Sequence, residues 1–195
     1  MIGLRTLVLN ADMSPISLFP LHTIPAEDAV TRVHNTTCFV VTEYDRAIKT
    51  PTAIMNWPAV IVRREYTHFE KYAVLNKETL YYRDHAMCAY CGRDLSVSSV
   101  TIDHVIPQSA NGPHVWKNVV AACSRCNSHK SDAPPIGGWK PRRAPFHPTY
   151  HQLLERRRRY PITIDHPSWA DWIGPWEGEI KIRNLEGAVQ GTNEP

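Results

Sequence analysis

The 195-residue sequence contains no long hydrophobic run. Its longest uninterrupted apolar stretch is the six residues 86–91, whereas a membrane-spanning helix needs about 18 or more. The N-terminus also lacks a basic stretch followed by a long apolar block, so no export signal is visible. We therefore expect a soluble protein that acts inside the cell, in a reducing compartment, without a membrane partner.

Glycine is also scarce, with 9 residues, while proline is abundant at 16. Hydrophobic residues make up 43% and charged residues 21%, which is close to the globular average and excludes general disorder. The length predicts one main domain with appendages. We divide the chain into an α+β N-terminal region of unknown role (1–75), a central core (76–135), and a C-terminal extension of a Pro-rich basic arm, helices and a frayed tail (136–195).

Local patterns support this division. Residues 4–9 and 37–42 are rich in β-branched and large apolar side chains and predict strands, whereas residues 26–34 predict a short helix behind Pro25. Residues 76–84 predict another helix, with Asn76 as its N-cap. The N-terminal region therefore mixes helix and strand and contains no recognisable catalytic motif.

The formal net charge of +3 is small, but the positive charge is concentrated in one segment. Residues 140–160 contain seven Lys or Arg side chains and a single acid, Glu155. Such a segment can bind phosphates independently of nucleic-acid sequence. It can equally be the solvated face of a helix over residues 149–160.

The cysteine pattern is the strongest signal in the sequence. Four of the five cysteines form two C-x-x-C pairs, Cys88/Cys91 and Cys123/Cys126, separated by 31 residues. Two such turns can complete a tetrahedral zinc site. A redox dithiol and unrelated core thiols are the alternatives. The remaining cysteine, Cys38, lies in a predicted strand and is assigned no function.

The two C-x-x-C pairs, which we call the first and second knuckle, have different local chemistry. Gly92 follows the first pair and suits a tight turn, because glycine adopts positive φ without a steric penalty. Residues 124–130 predict a helix, which would place the second pair at a helix N-terminus, where the dipole favours thiolates.

An acid and an imidazole, Asp103 and His104, stand side by side near the end of the predicted strand 100–107, between the knuckles. Neighbouring side chains on a regular strand point to opposite faces. A shared site would therefore require a bend or bulge, with which Pro107 is consistent.

This block resembles the zinc-stapled branch of the HNH endonucleases, whose shared core is the ββα-metal fold. The resemblance rests on four motifs in the expected order: Cys88-x-x-Cys91, Asp103-His104-Val105-Ile106-Pro107, Trp116-Lys117-Asn118-Val119-Val120 and Cys123-x-x-Cys126-Asn127-x-x-Lys130. The opening segment 7–16 is also similar to the start of some bacterial and phage proteins that carry this nuclease core. The resemblance implies a cytoplasmic location, in a bacterial cell or a phage-infected host.

The resemblance implies a role for each matching residue. His104 would be the general base, Asp103 and Asn127 would hold a catalytic Mg²⁺ or Mn²⁺ ion, and Asn118 would brace the loop that positions His104. The zinc ion would be structural. The resemblance thus implies that the Asp103 carboxylate, the His104 imidazole and the Asn127 amide converge on one phosphodiester of DNA.

The resemblance and the charge pattern together predict DNA contacts. We expect them from basic side chains near the last helix of the core and in the arm: Arg125, Lys130, Arg142, Arg143, Arg156, Arg157, Arg158 and Arg159. His114 and His129 are left undecided. The leading hypothesis is a metal-dependent DNA endonuclease, and the alternatives are a zinc module that binds nucleic acid without cutting it and a zinc-stabilised protein interaction domain.

Overall fold

The computed structural model of the chain describes residues 3–50, 53–68, 72–135, 138–183 and 189–191. Helices and strands are both present, so the predicted α+β class is confirmed. The chain forms two compact units, one from residues 1–70 and 158–195 and the other from residues 71–157. Among the helices in these described ranges, none has the length and apolar character needed to cross a bilayer.

The C-terminal extension is divided between the two units. Residues up to 157 belong to the unit that contains the two cysteine pairs, and residues from 158 belong to the unit that contains the N-terminus. The physical reason is burial. Ile162, Ile164 and Trp169 fill the core of the first unit, whereas Leu153 and Leu154 are buried in the second.

The first unit is built on a four-stranded sheet in the order β2-β1-β4-β3. Its strands are β1 Arg5–Leu9, β2 Thr23–Pro25, β3 Cys38–Lys49 and β4 Ile54–Arg63. β1 pairs parallel to β4, and the other two pairings are antiparallel. Helix α1, Ala26–His34, has the bounds that the sequence predicts.

Both faces of this sheet are covered, which explains why the consecutive residues Leu7, Val8 and Leu9 of β1 are all apolar and buried. On one face, Val8 and Ile61 pack with Ala29 of α1. On the other face, Leu7 and Val60 pack against residues of the C-terminal segment. That segment consists of β7 Ile162–Ile164, helix α5 Ala170–Ile173, β8 Ile180–Arg183 and β9 Val189–Gly191.

The second unit is a hairpin enclosed by short helices. Its elements are α2 Lys77–Arg83, β5 Val100–His104, β6 Val119–Cys123, α3 Ser124–Lys130 and α4 Tyr150–Arg157. The Asn76 side chain caps α2 by accepting the Thr79 N–H at 2.9 Å, as predicted. The predicted bounds of α3 are confirmed, whereas α4 ends at Arg157 and not at residue 160.

A buried ion pair fixes α2 to the hairpin. Arg83 binds the Asp84 carboxylate through two N–H groups, at 2.8 and 2.9 Å, and donates to the carbonyls of Trp116 and Val119, both at 2.7 Å. The same carboxylate accepts the Ala121 N–H at 2.7 Å. The outer edge of β6 is therefore tied to the end of α2, which gives the site a rigid support.

Candidate metal centre and active site

The four paired cysteines form one compact cluster. All four are free thiols, and their Sγ atoms lie within 4.8 Å of one another. The Sγ atoms of Cys91 and Cys123 are 4.0 Å apart. A tetrahedral zinc ion with bonds of about 2.3 Å to sulfur requires sulfur–sulfur separations of about 3.8 Å. Both the donor set and its spacing therefore fit a zinc ion.

The thiols also influence each other's ionisation. A backbone hydrogen bond at Arg93, helped by bonds from the neighbouring thiols, lowers the pKa of Cys91 to about 6. Burial and the same neighbours raise the pKa of Cys126 to about 12. One thiolate in the cluster thus opposes the next. A bound cation would offset the repulsion between neighbouring thiolates and so allow all four thiols to ionise.

The first knuckle depends on a glycine. Gly92 has φ +75°, and its N–H donates to the Cys88 carbonyl at 2.9 Å. A Cβ atom on Gly92 would also lie 1.8 Å from Nη1 of Arg142. The second knuckle has a different construction, in which α3 starts directly after Cys123 and the Cys126 N–H approaches Sγ of Cys123 at 3.4 Å. Both knuckles thus have the local backbone that the sequence indicates, a positive-φ glycine turn in the first and a helix start in the second.

Helix α3 lies on one face of the hairpin. Thr101 and Asp103 share that face, because alternate residues of a strand point the same way. The Asn127 amide donates to Oγ1 of Thr101 at 3.1 Å, and Nζ of Lys130 lies 3.2 Å from Oδ1 of Asp103. The two residues that the resemblance assigns to the catalytic ion, Asp103 and Asn127, therefore lie on the same side of the hairpin.

Lys130 differs from its predicted role. Its side chain is only 1% exposed, and besides Asp103 it binds the His104 carbonyl, at 2.7 Å. The prediction that Lys130 contacts DNA phosphates is wrong, because its ammonium group is enclosed in the protein and neutralised there.

Asp103 is itself only 4% exposed and has a second partner. Its Oδ2 accepts a hydrogen bond from the Tyr90 hydroxyl. Burial first, and then this bond, raise the pKa of Tyr90 well above its ordinary value, so the phenol keeps its proton and acts as a donor.

Two side chains on this face, Asp103 and Asn127, carry oxygen atoms of the kinds that bind divalent ions. A carboxylate offers about four lone-pair positions, and Tyr90 and Lys130 use two of those on Asp103. The amide nitrogen of Asn127 makes the bond to Thr101, and Oδ1 of Asn127 has no hydrogen-bond partner within the described residues. Carboxylate and amide oxygens are the ligands that Mg²⁺ and Mn²⁺ prefer.

His104 faces the other side of the hairpin. The pairing of β5 with β6 runs without a shift from Val100 opposite Cys123 to His104 opposite Val119, so the predicted bulge is absent from this hairpin. Regular alternation therefore separates the imidazole from the Asp103 carboxylate. Instead, the Nε2 atom of His104 lies 3.1 Å from Nδ1 of His114. Burial, followed by the charge of His114, lowers the pKa of His104, which favours the neutral form that can accept a proton.

Asn118 holds the loop that follows His104. Its buried side chain accepts the Ile106 N–H at 2.9 Å and donates to the carbonyls of Ile106 and Pro113, at 3.1 and 2.9 Å. Its own carbonyl accepts the Val105 N–H at 2.8 Å. These four bonds close the loop against the start of β6 and leave His104 at its base.

Three of the predicted DNA contacts lie on the surface of the second unit. Arg125 is exposed on α3, and Arg142 and Arg143 are exposed in the arm. Arg142 and Arg143 line a cavity of about 350 Å³ beside the first knuckle. Within the described ranges no carboxylate forms an ion pair with either of them.

The run Arg156–Arg159 is divided between the two units. The guanidinium of Arg156 lies 5.4 Å from the Phe146 ring centre, and that of Arg157 lies 5.1 Å from the Tyr82 ring centre. Arg158 and Arg159 belong to the first unit, where Nε of Arg159 lies 3.5 Å from Oε2 of Glu177. Arg156 and Arg157 thus lie near aromatic rings, whereas the pair of Arg159 with Glu177 is exposed at the surface.

Two neighbours of the site could not be identified from the sequence. Tyr90 stands between two cysteines, where its side chain carries no pattern that points to Asp103. His114 lies in a turn-rich loop, and only the closure of that loop by Asn118 brings it to His104. The spacing of 10 residues between the two histidines gives no periodic signal for this contact.

Two segments of the chain match models of known protein families. Residues 88–133 match the family model described as HNH endonuclease. Residues 6–71 match the model described as HNH endonuclease-associated, N-terminal domain. The second match covers the four-stranded sheet of the first unit, and the first covers the knuckles, the hairpin and α3.

Two curated proteins are similar to part of the chain. The CRISPR-associated endonuclease Cas9 of Corynebacterium diphtheriae is 38% identical over 53 residues, which cover 27% of this chain and 5% of that protein. The Cas9 of Actinomyces naeslundii is 40% identical over 48 residues, which cover 24% of this chain and 4% of that protein. The chain thus matches about a twentieth of the length of these relatives.

Replacing one clustered cysteine should remove the metal and unfold the second unit. Structural zinc contributes about 10–16 kcal/mol of apparent binding free energy, which no single remaining contact replaces. We expect Cys126→Ser to contain no zinc by mass spectrometry and to lose the thermal transition of the second unit. The control Cys38→Ala removes the cysteine outside the cluster and should keep one zinc per chain. A zinc-free Cys126→Ser protein that melts like the wild type would contradict the cluster's role.

Proposed function

Because this chain carries an HNH endonuclease domain, we propose that it is a metal-dependent endonuclease that hydrolyses phosphodiester bonds in DNA. The observation that carries the proposal is the position of Asp103 and Asn127 on one face of a cysteine-clustered hairpin, with His104 at the end of the same strand. The similarity to two CRISPR-associated endonucleases supports the endonuclease activity.

In this proposal the scissile phosphate binds at the end of β5, between the His104 imidazole on one side of the hairpin and the Asp103 and Asn127 side chains on the other. His104 accepts the proton of the attacking water, for which a neutral imidazole is suited. Asn118 keeps His104 in place through the loop bonds described above. Asp103 and Asn127 would hold Mg²⁺ or Mn²⁺, which when bound would neutralise charge on the phosphate and the departing oxygen.

The zinc ion has a structural role in this proposal. Four cysteine ligands fill a tetrahedral coordination sphere and leave no position for water or substrate, as in structural zinc sites generally. The catalytic ion must therefore be a different one, held by oxygen ligands.

A zinc module that binds nucleic acid without cutting it is the alternative, and one contact favours it. The ion pair between Lys130 and Asp103 neutralises the carboxylate that would hold the catalytic ion. In such a module the pair would serve only to join α3 to the hairpin.

A cleavage assay on plasmid and single-stranded DNA distinguishes a nuclease from a zinc module that only binds nucleic acid. We expect the purified protein to cut with Mg²⁺ or Mn²⁺, to stop on addition of EDTA, and to recover with excess Mg²⁺ but not with Zn²⁺. His104→Ala should keep its zinc and its fold but lose about 10²–10⁴-fold or more in rate. His151→Ala, an exposed histidine on α4, is the control and should cut normally.

Two results would contradict the nuclease proposal. One is binding of DNA without cleavage under any of these ion conditions, which would establish the alternative. The other is a well-folded His104→Ala protein that cuts at the wild-type rate, which would remove His104 from the mechanism.

Arg142 and Arg143 should contribute to DNA affinity through phosphate contacts. We expect the double variant Arg142→Ala/Arg143→Ala to bind duplex DNA more weakly and to reduce the slope of log affinity against log salt by about 0.9 per lost contact. Fluorescence anisotropy between 50 and 200 mM salt would measure both effects. Arg46→Ala/Lys49→Ala removes two exposed charges from β3 and should leave the slope unchanged. Equal slopes for the two double variants would contradict the contacts.

A further inference from the structure

Tyr90 links the first knuckle to the buried acid of the hairpin. It lies between Cys88 and Cys91, and its hydroxyl donates to Oδ2 of Asp103 across 13 residues of sequence. Its half-buried ring packs edge-on against Trp139, with the ring centres 5.5 Å apart at an interplanar angle of 82°. The phenol is therefore held at both ends, by the knuckle backbone and by the ring contact.

Asp103 is fixed by donors from two different elements. Tyr90 of the first knuckle binds Oδ2, and Lys130 of α3 binds Oδ1 at 3.2 Å. The terminal torsion of an aspartate side chain is intrinsically broad, so one donor alone would leave the carboxylate free to rotate. Lys130 balances the charge, and Tyr90 sets the rotation.

We propose that Tyr90 is a positioning residue that orients the Asp103 carboxylate for the catalytic divalent ion and so makes that orientation depend on the zinc knuckle. This inference rests on the proposed function, in which Asp103 is a ligand of that ion. The hydrogen-bond partner of a ligating carboxylate fixes its direction, and loss of such a partner typically costs 10–100-fold in metal affinity or activity. Tyr90 touches neither the substrate nor the reacting atoms in this role.

The variant Tyr90→Phe isolates the hydroxyl, because it keeps the ring, the knuckle spacing and the packing on Trp139. We expect it to retain one zinc per chain. Its affinity for Mn²⁺, measured on the zinc-loaded full chain by the electron paramagnetic resonance of free Mn²⁺, should fall by about 10–100-fold. The Mg²⁺ concentration that gives half-maximal cleavage should rise by a similar factor.

Two matched variants complete the test. Tyr72→Phe removes the hydroxyl of an exposed tyrosine in the same unit and should bind Mn²⁺ like the wild type. Asp103→Asn removes the charged ligand itself and should bind Mn²⁺ more weakly than Tyr90→Phe.

Each outcome has a separate meaning. If Asp103→Asn loses Mn²⁺ while Tyr90→Phe keeps the wild-type affinity and Mg²⁺ dependence, Tyr90 has no positioning role and the proposed ion site stands. Loss of zinc from Tyr90→Phe would also overturn the role, since it would make the tyrosine part of the knuckle itself. If Asp103→Asn binds Mn²⁺ as tightly as the wild type, the ion site of the proposed function is wrong.

Discussion

Four sulfur atoms within 4.8 Å of one another are the constraint on which the second unit depends. They join two chain segments that 31 residues separate, in a unit whose hairpin has only five residues in each strand. Structural zinc contributes about 10–16 kcal/mol of apparent binding free energy, while whole domains are stable by only about 5–15 kcal/mol. The free energy of binding a metal to these thiols would therefore be as large as the whole free energy of unfolding of a typical domain.

The same cluster determines where the polar side chains of the hairpin lie. Helix α3 starts at the second knuckle, so Asn127 and Lys130 reach the hairpin within two turns of a metal ligand. Tyr90 reaches Asp103 from the first knuckle. The carboxylate is consequently enclosed by groups from both knuckles, and its burial is tolerated because both oxygens are hydrogen-bonded and one faces a positive charge.

The sequence predicts local features such as helix caps and helix bounds, but it does not predict which distant side chains a residue contacts. The Asn76 cap and the bounds of α3 follow from residues within a few positions of each other, and the structure has both. The cysteine cluster is the exception, because two C-x-x-C pairs predict a shared metal site even when 31 residues separate them. Lys130 was misplaced because its partner lies 27 residues away, and a lysine on a short helix is ordinarily exposed.

The same limit applies to the fold of the C-terminal extension. Its apolar residues were visible, but periodicity does not tell which sheet they cover, so the packing of Ile162 and Ile164 on the N-terminal sheet was not predicted. The absent bulge at His104 has a similar cause. The bulge was expected because the family resemblance implies that three side chains converge. Whether a strand contains a bulge depends on its pairing with the partner strand, which local patterns do not reveal.

X-ray absorption at the zinc edge, on the purified full chain without an affinity tag, tests the central claim most directly. The account predicts one zinc per chain with a single shell of four sulfur atoms at about 2.3 Å. A shell containing nitrogen or oxygen at about 2.0–2.1 Å, or a folded protein without zinc, would contradict it.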